Sequence, residues 1–287
     1  MTITVHELLR QASRSLQQAS DTPWLDACVL LARASGLSRE QLLASYPDSV
    51  TPAAHEAFTG LLEHRRRGVP IAYLLGFKEF YGLEFTVNRA VLIPRPDSEL
   101  VVEIALRLLA EFPRAPHSPH SPRSPRLHDC CTGSGCIAIA IAHELPEAEV
   151  SASDISEAAL RAARKNADRL IAGRLRLFRS DLLAAVPGRF EVITANPPYL
   201  TEFEIEQLAS GEPREALLGG PDGLDPYRRL IPEAVDKITM NGYLVLEGGH
   251  DQHHKIGALM TSAGFTSITH YRDLGGNLRV TVGRMER

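Results

Sequence analysis

The sequence contains no stretch approaching the roughly 18 uninterrupted apolar residues of a membrane-crossing helix, which sets that class aside. It also lacks a large excess of either charge. Thirty-one basic side chains against 35 acidic ones give a formal charge of −4, so no general attraction for polyanions is expected. Cysteine is scarce as well: there are four, three of them crowded at Cys130, Cys131 and Cys136. That pattern is no disulfide framework and points to a reducing compartment, the cytoplasm. The opening residues, MTITVHELLRQASRSLQQAS, show no basic segment followed by an apolar run and a small-residue cleavage site, so no secretory signal is expected. What is present is an ordinary globular composition, 44% hydrophobic and 23% charged. A chain of 287 residues allows about two domains.

Residues 1–75 read as a small helical bundle. Val5, Leu8, Leu9, Ala12 and Leu16 recur at three- and four-residue steps, as one buried helical stripe requires. Asp21-Thr22-Pro23 starts a second helix that Gly36 ends, and Ser38 with Gln41 forms a capping-box pattern. Thr51-Pro52 starts another, running toward Arg65-Arg66-Arg67. The bundle holds no cluster of His, Cys or acidic residues at ligand spacing, so its expected role is recognition or scaffolding. Residues 76–93 read as a linker. Ile71, Tyr73 and Leu75, then Phe80, Leu83, Phe85, Val87 and Val91, suggest short strands and a hairpin.

The remainder, 94–287, alternates strand and helix, and therefore predicts a mostly parallel sheet covered on both faces, a doubly wound α/β domain. Strands are expected at Leu127–Cys131, Glu149–Ser153, Arg174–Phe178, Phe190–Ala195 and Tyr243–Glu247, with helices between them, including Asp225–Thr239. Two last strands, joined through Gly275-Gly276-Asn277, read as an antiparallel hairpin on the sheet edge. The Ser-Pro-rich stretch 113–126 has almost no apolar residue to bury and is expected to be an exposed, extended insert.

Ligands of such a sheet bind beyond the carboxyl ends of its strands, and three ends carry candidate residues. In Asp129-Cys130-Cys131-Thr132-Gly133-Ser134-Gly135-Cys136, the glycines let backbone approach a ligand, and free N–H groups of the following helix face it. Asp154, ending the next strand, suits a bidentate hydrogen bond to the two hydroxyls of a ribose; the alternative is a helix cap. The sharpest signal is Asn196-Pro197-Pro198-Tyr199 after the fourth strand. Two prolines stiffen the loop. The Asn196 side-chain carbonyl and the Pro197 backbone carbonyl are then two fixed acceptors for a planar –NH2, with Tyr199 as a flat face for stacking. That group is an amide or a nucleobase. The three cysteines lack a second ligand cluster, so no metal is expected.

Glycine turn, acid and Asn-Pro-Pro-Tyr in this order resemble an S-adenosylmethionine-dependent methyltransferase acting on a planar nitrogen. With Gly76-Phe77, Leu92-Ile93-Pro94-Arg95-Pro96-Asp97-Ser98-Glu99 and Leu246-Glu247-Gly248-Gly249-His250 added, nearly the whole chain resembles the PrmC/HemK family, which methylates the glutamine of the Gly-Gly-Gln loop of peptide chain release factors. The resemblance implies a Rossmann-like domain with a seven-stranded sheet. It puts the cofactor against Cys131, Thr132, Gly133, Ser134 and Gly135, with its ribose on Asp154 and its adenine near Asp181 and Leu182. Asn196 also touches the cofactor; Asn196, Pro197, Pro198 and Tyr199 then hold the substrate glutamine, with Asn196, Pro197 and Tyr199 as the implied catalytic residues, and the loop through 212–223 covers the substrate side and is mobile without a partner. Cys131 stands where the family usually has glycine, and Leu182 where it often has an aromatic residue. The implied partner is a release factor, with no direct DNA binding and a monomeric enzyme. The rival substrates are a glutamine of a ribosomal protein and the N6 of adenine in DNA; a third alternative is a non-catalytic binding module. Against DNA stand the negative net charge and a bundle with seven basic and seven acidic residues.

Overall fold

A reciprocal cap opens the first helix. Thr4 Oγ1 accepts the N–H of Glu7 while the Glu7 carboxylate accepts the N–H of Thr4, and α1 (Val5–Ser15) follows. Pro23 sits in the first turn of α2 (Pro23–Ser35), which ends at Gly36 in a left-handed conformation. Ser38 and Gln41 repeat the reciprocal cap at α3 (Arg39–Ala44), and Thr51 caps α4 (Pro52–Arg66). Leu9, Leu30, Leu31, Leu42 and Phe58 form the centre of the bundle core. Arg65 pairs with the buried Asp26 at 2.7 Å, and Arg66 and Arg67 both pair with Glu63, so the basic run is engaged by acids of its own bundle. The strand expected from the alternation of Ile71, Tyr73 and Leu75 is instead a fifth helix, α5 (Ile71–Leu75). Pro70 presets its entry and Gly76 its exit, and the residues that meet the core are Ile71 and Leu74, three apart rather than two.

The structure is a computed structural model and describes residues 3–112, 124–208 and 211–286. The insert expected over 113–126 lies, up to Arg123, outside the described residues. Contacts divide the chain into a helical unit ending at Phe77 and a larger unit that begins at Lys78. A two-residue turn at Tyr81-Gly82, both at positive φ, joins β1 (Phe77–Phe80) to β2 (Leu83–Thr86) with the twist that hairpins favour. After a short turn of 3₁₀ helix at Pro96–Ser98 comes α6 (Glu99–Leu109). The sheet and its helices follow in the order β3 (Arg126–Cys130), α7 (Cys136–Glu144), β4 (Glu149–Asp154), α8 (Glu157–Ile171), β5 (Arg176–Arg179), β6 (Phe190–Ala195), α9 (Glu202–Leu208), α10 (Asp225–Val235), β7 (Ile238–Glu247), α11 (His253–Ser262), β8 (Thr266–Arg272) and β9 (Leu278–Arg284).

The seven strands lie in the order β5-β4-β3-β6-β7-β9-β8. The first five run parallel, and β9 is antiparallel to both its neighbours. The sheet is the mostly parallel one expected, closed by an antiparallel pair whose second strand is the inner one. Alternation along β7 builds both core layers: Tyr243 and Val245 face the layer of α6, α7 and α8, while Leu244 and Leu246 face that of α10 and α11. Two boundaries differ from expectation by more than three residues. Helix α10 stops at Val235, not Thr239, and β7 starts at Ile238, five residues early, because a left-handed Asn241 and a register shift opposite Phe190–Val192 let the strand continue through a bulge. Helix α9 was not expected, although its cap is legible: Thr201 Oγ1 accepts the Glu204 N–H and Glu204 accepts that of Thr201. No helix of the described residues is long and apolar enough to cross a membrane.

The order reverses at β3, which sends the chain to β4 and β5 on one side and to β6 and β7 on the other. Ligand crevices open at such a point. Asn166 of α8, fully buried, fastens the hairpin beside it: its Nδ2 donates to the carbonyls of Thr86 (3.0 Å) and Ser134 (2.9 Å), and its Oδ1 accepts the Thr86 N–H (2.8 Å). Replacing it strands three backbone groups. Asn166→Ala is expected to lower the unfolding free energy by about 2–4 kcal/mol, read as a drop in the urea midpoint at constant slope; a change below about 0.5 kcal/mol contradicts this role.

Candidate active site

The turn between β3 and α7 is tied down on three sides. Asp129 is buried and accepts the hydroxyls of Thr132 (2.6 Å) and Thr194 (2.7 Å). Burial pushes its carboxyl up to about 6, although the two hydroxyls pull it back. The Thr132 N–H donates to the Ser153 carbonyl at 3.0 Å, and the Gly133 N–H donates to Asp154 Oδ2 at 2.9 Å. The two glycines do different work. At Gly133 (φ 56) an added Cβ meets only open space, so its backbone faces a void; at Gly135 (φ 82) it would lie 2.9 Å from Ile139 Cδ1 and 3.2 Å from Ala163 Cβ, where α7 packs on α8.

Asp154, at the end of β4, uses its second oxygen to accept the Ser156 N–H at 2.9 Å. It is not the cap of α8; Ser156 is, its hydroxyl accepting the Ala159 N–H. Burial raises the Asp154 carboxyl above the usual range, against three backbone N–H groups that favour its charge. A cavity of about 440 Å³ opens here, and its walls include Cys131, Thr132, Gly133, Ser134, Asp154, Asp181, Leu182, Asn196 and Pro198 among the residues singled out from sequence. Gly135 packs beneath it. Pro197 is buried and, like Tyr199, is not part of the wall. Tyr199 packs against the core layer of α10 and α11; its hydroxyl is pushed up to about 12, by burial first and then by the charge of Glu247, and its carbonyl accepts Gln252 Nε2 at 3.0 Å.

Two wall residues carry backbone strain. Cys131 (φ 60) and Leu182 (φ 50) are left-handed without being glycine. The Cys131 thiol lies 3.8 Å from that of Cys130, and this contact and burial hold it well above the ordinary thiol range. No group of three or more His, Cys, Asp or Glu among the described residues has the arrangement of a metal site. Sequence reasoning missed Arg229, which lines the cavity and pairs with Asp181 at 2.6 Å; nothing local marks it, since α10 brings it in from 48 positions away. It also missed Ser98, whose hydroxyl accepts from Asn196 Nδ2 at 3.2 Å. Asn196 Oδ1 is buried with no hydrogen-bond partner.

The loop after the tetrapeptide braces it. Leu200 donates to the Leu217 carbonyl at 2.9 Å and accepts from Gly219 at 2.7 Å. A Cβ on Gly219 would come within 2.7 Å of Tyr199 Cα, and one on Gly223 within 2.2 Å of the Tyr199 carbonyl oxygen. The same segment is pinned by Glu212, a buried carboxylate that pairs with Arg95 and accepts the Ile93 N–H.

Residues 104–211 match the methyltransferase small domain, and residues 7–76 match the PrmC N-terminal domain. Strand order, glycine turn, acid and cavity thus define a methyltransferase domain of the doubly wound α/β class. Its fold is shared by a solved methyltransferase of Pyrococcus furiosus, 20% identical with a TM-score of 0.52 over 72% of this chain and 90% of that one. The chain is 41% identical to a release factor glutamine methyltransferase of Moorella thermoacetica over 91% of each chain, and 37% identical to that of Coxiella burnetii over 98% of this chain and 99% of the other. It belongs to the release factor glutamine methyltransferase family.

The unequal surroundings of the two glycines set their sensitivities. Gly133→Ala is expected to cost about 1 kcal/mol, from the left-handed backbone alone, whereas Gly135→Ala should cost about 2–4 kcal/mol because overpacking adds to the strain. Chemical denaturation of both variants checks this, and equal losses contradict it.

Proposed function

We propose that the protein transfers a methyl group from S-adenosylmethionine to the side-chain amide nitrogen of the glutamine in the Gly-Gly-Gln motif of peptide chain release factors. The observation that carries the reading is Asn196: a carboxamide acceptor without a donor, in a wall residue of the cavity that is also lined by the glycine turn and Asp154. Family membership over nearly the full chain supports the same substrate class.

The residues present fit the cofactor. The open space at Gly133 leaves room against the turn, Asp154 offers a carboxylate of the kind that holds a ribose diol, and Leu182 offers an apolar surface for an adenine. When bound, the cofactor would supply an electrophilic methyl on a sulfonium sulfur for transfer to the amide nitrogen, whose proton would pass to water. The protein's part is orientation. An amide nitrogen is a poor nucleophile, its lone pair delocalised into the carbonyl. Asn196 Oδ1 and the Pro197 carbonyl accept its two hydrogens, fix the plane of the group and favour positive charge building on the nitrogen. Positioning of this kind supplies roughly 7 kcal/mol or more of a barrier when the geometry is near attack. The bracing of the tetrapeptide by Gly219, Gly223 and Gln252 keeps the acceptors in place. On this reading Tyr199 serves the site through its backbone and its packing, the helical unit meets the substrate protein, and the monomeric enzyme acts in the cytoplasm.

Mass analysis of a co-expressed release factor should find one added methyl on the Gly-Gly-Gln glutamine; an unmodified peptide overturns the proposal. Asn196→Ala is expected to lower methylation at least about 100-fold while calorimetry finds the S-adenosylmethionine affinity within about threefold of wild type. Near-normal turnover in that variant removes Asn196 from the mechanism.

A further inference from the structure

Strands β6 and β7 lie side by side with Ala195 opposite Leu246, which brings their next residues, Asn196 and Glu247, to neighbouring strand ends. Glu247 belongs to the Leu-Glu-Gly-Gly-His segment. Its side chain is 1% exposed and its Oε2 has no hydrogen-bond partner. Its backbone is held in place: the Tyr227 hydroxyl donates to its carbonyl at 2.7 Å. The polar groups that face the carboxyl and favour its charge are the Ser98 hydroxyl and the Asn196 side-chain amide. Two buried oxygens on adjacent side chains, Asn196 Oδ1 and Glu247 Oε2, therefore lack a donor. Unmatched buried acceptors are costly, and a pair of them marks a place where a hydrogen is to be supplied.

A carboxamide has nearly the same shape whichever way round it sits, so its neighbours decide which end is the oxygen. An ionised carboxyl only accepts hydrogen bonds and draws the –NH2 end toward itself. A protonated one donates and draws the oxygen. We infer that Glu247 is a positioning residue that sets which end of the Asn196 carboxamide is offered to the substrate amide. Ionised Glu247, together with Ser98, holds Nδ2 and leaves Oδ1 free to accept a substrate N–H. Protonated Glu247 engages Oδ1 and turns Nδ2 outward, donor against donor. The inference rests on the glutamine-amide reading above.

Burial pushes the Glu247 carboxyl up to about 7, with Ser98 and Arg279 the leading pulls in the other direction, so both states are populated near neutral pH. The charged and titratable groups around it are Asp97 from the turn before α6, Arg279 from β9, Tyr199 after β6, Tyr227 from α10 and Cys136 from α7. Arg279 is engaged by Asp97 at 3.1 Å and Asp273 at 3.3 Å. It does not titrate in this range, and burial holds the Tyr199 and Tyr227 hydroxyls and the Cys136 thiol above it.

The test uses the full chain and two readouts. The side-chain ¹⁵N–H₂ resonances of Asn196, assigned through their loss in Asn196→Ala, are followed from about pH 5.5 to about pH 8.5. They are expected to titrate with a midpoint near 7 in wild type and to stay flat in Glu247→Gln. In methylation of a release factor, wild-type kcat/KM is expected to fall about tenfold per pH unit below that midpoint. Glu247→Gln should lose this limb, with a plateau at least about tenfold lower and a cofactor affinity within about threefold of wild type. Ser98→Ala, which keeps the carboxyl, should retain the limb. An Asn196 titration that persists unchanged in Glu247→Gln overturns the inference, as does an unchanged acid limb. If Asn196 titrates through Glu247 but no release factor is methylated, the coupling of the two side chains is supported and the substrate reading falls.

Discussion

Three parallel strands end at the same level, and the site depends on how their loose backbone ends are tied across one another. Thr132 links β3 to β4 through the Ser153 carbonyl, Gly133 links it again through the Asp154 carboxylate, and Asp129 gathers hydroxyls from the turn and from Thr194 of β6. These bonds lie at and just beyond the last ladder pairs of the three strands. They hold open a turn whose two glycines and one cysteine all have positive φ. Asp129 gives up part of its preference for the charged state to do this, a cost that its two short hydroxyl contacts offset.

Much of the fold was legible because local and global signals agree in this chain. The caps at Ser38 and Thr51, the apolar strand cores and the alternation of strand with helix each point to the same elements. The errors have local causes. Ile71, Tyr73 and Leu75 imitate a strand because a one-turn helix between Pro70 and Gly76 is too short to display its own period. The early start of β7 was hidden because Asn-Gly at 241–242 reads as a turn, whereas Asn241 there adopts a left-handed conformation within a bulged strand.

Within the site, sequence found the residues that sit on consecutive strand ends, since chain order and the switch in sheet topology bring Thr132, Asp154 and Asn196 together. It did not find what arrives from remote elements: Ser98 on the turn before α6 and Arg229 on α10. Their residue types carry no signal, and only the packing of helices on the sheet delivers them. Tyr199 is tied in from both its ring and its backbone. Its ring packs against the apolar layer of α10 and α11, and its carbonyl accepts the Gln252 side-chain amide.

The parallel bridge between Leu200 and Leu218 closes the intervening segment into a purse whose drawstring, rather than its contents, steadies the tetrapeptide. Between its closed ends, α9 presents Glu202, Phe203 and Glu204 to solvent and donates nothing to the acceptor corner. Within the same segment Pro213, Glu215 and Ala216 line the cavity, and the knot at Leu217, Gly219 and Glu212 holds them against the tetrapeptide, whereas substitutions on the exposed face of α9 leave that knot untouched.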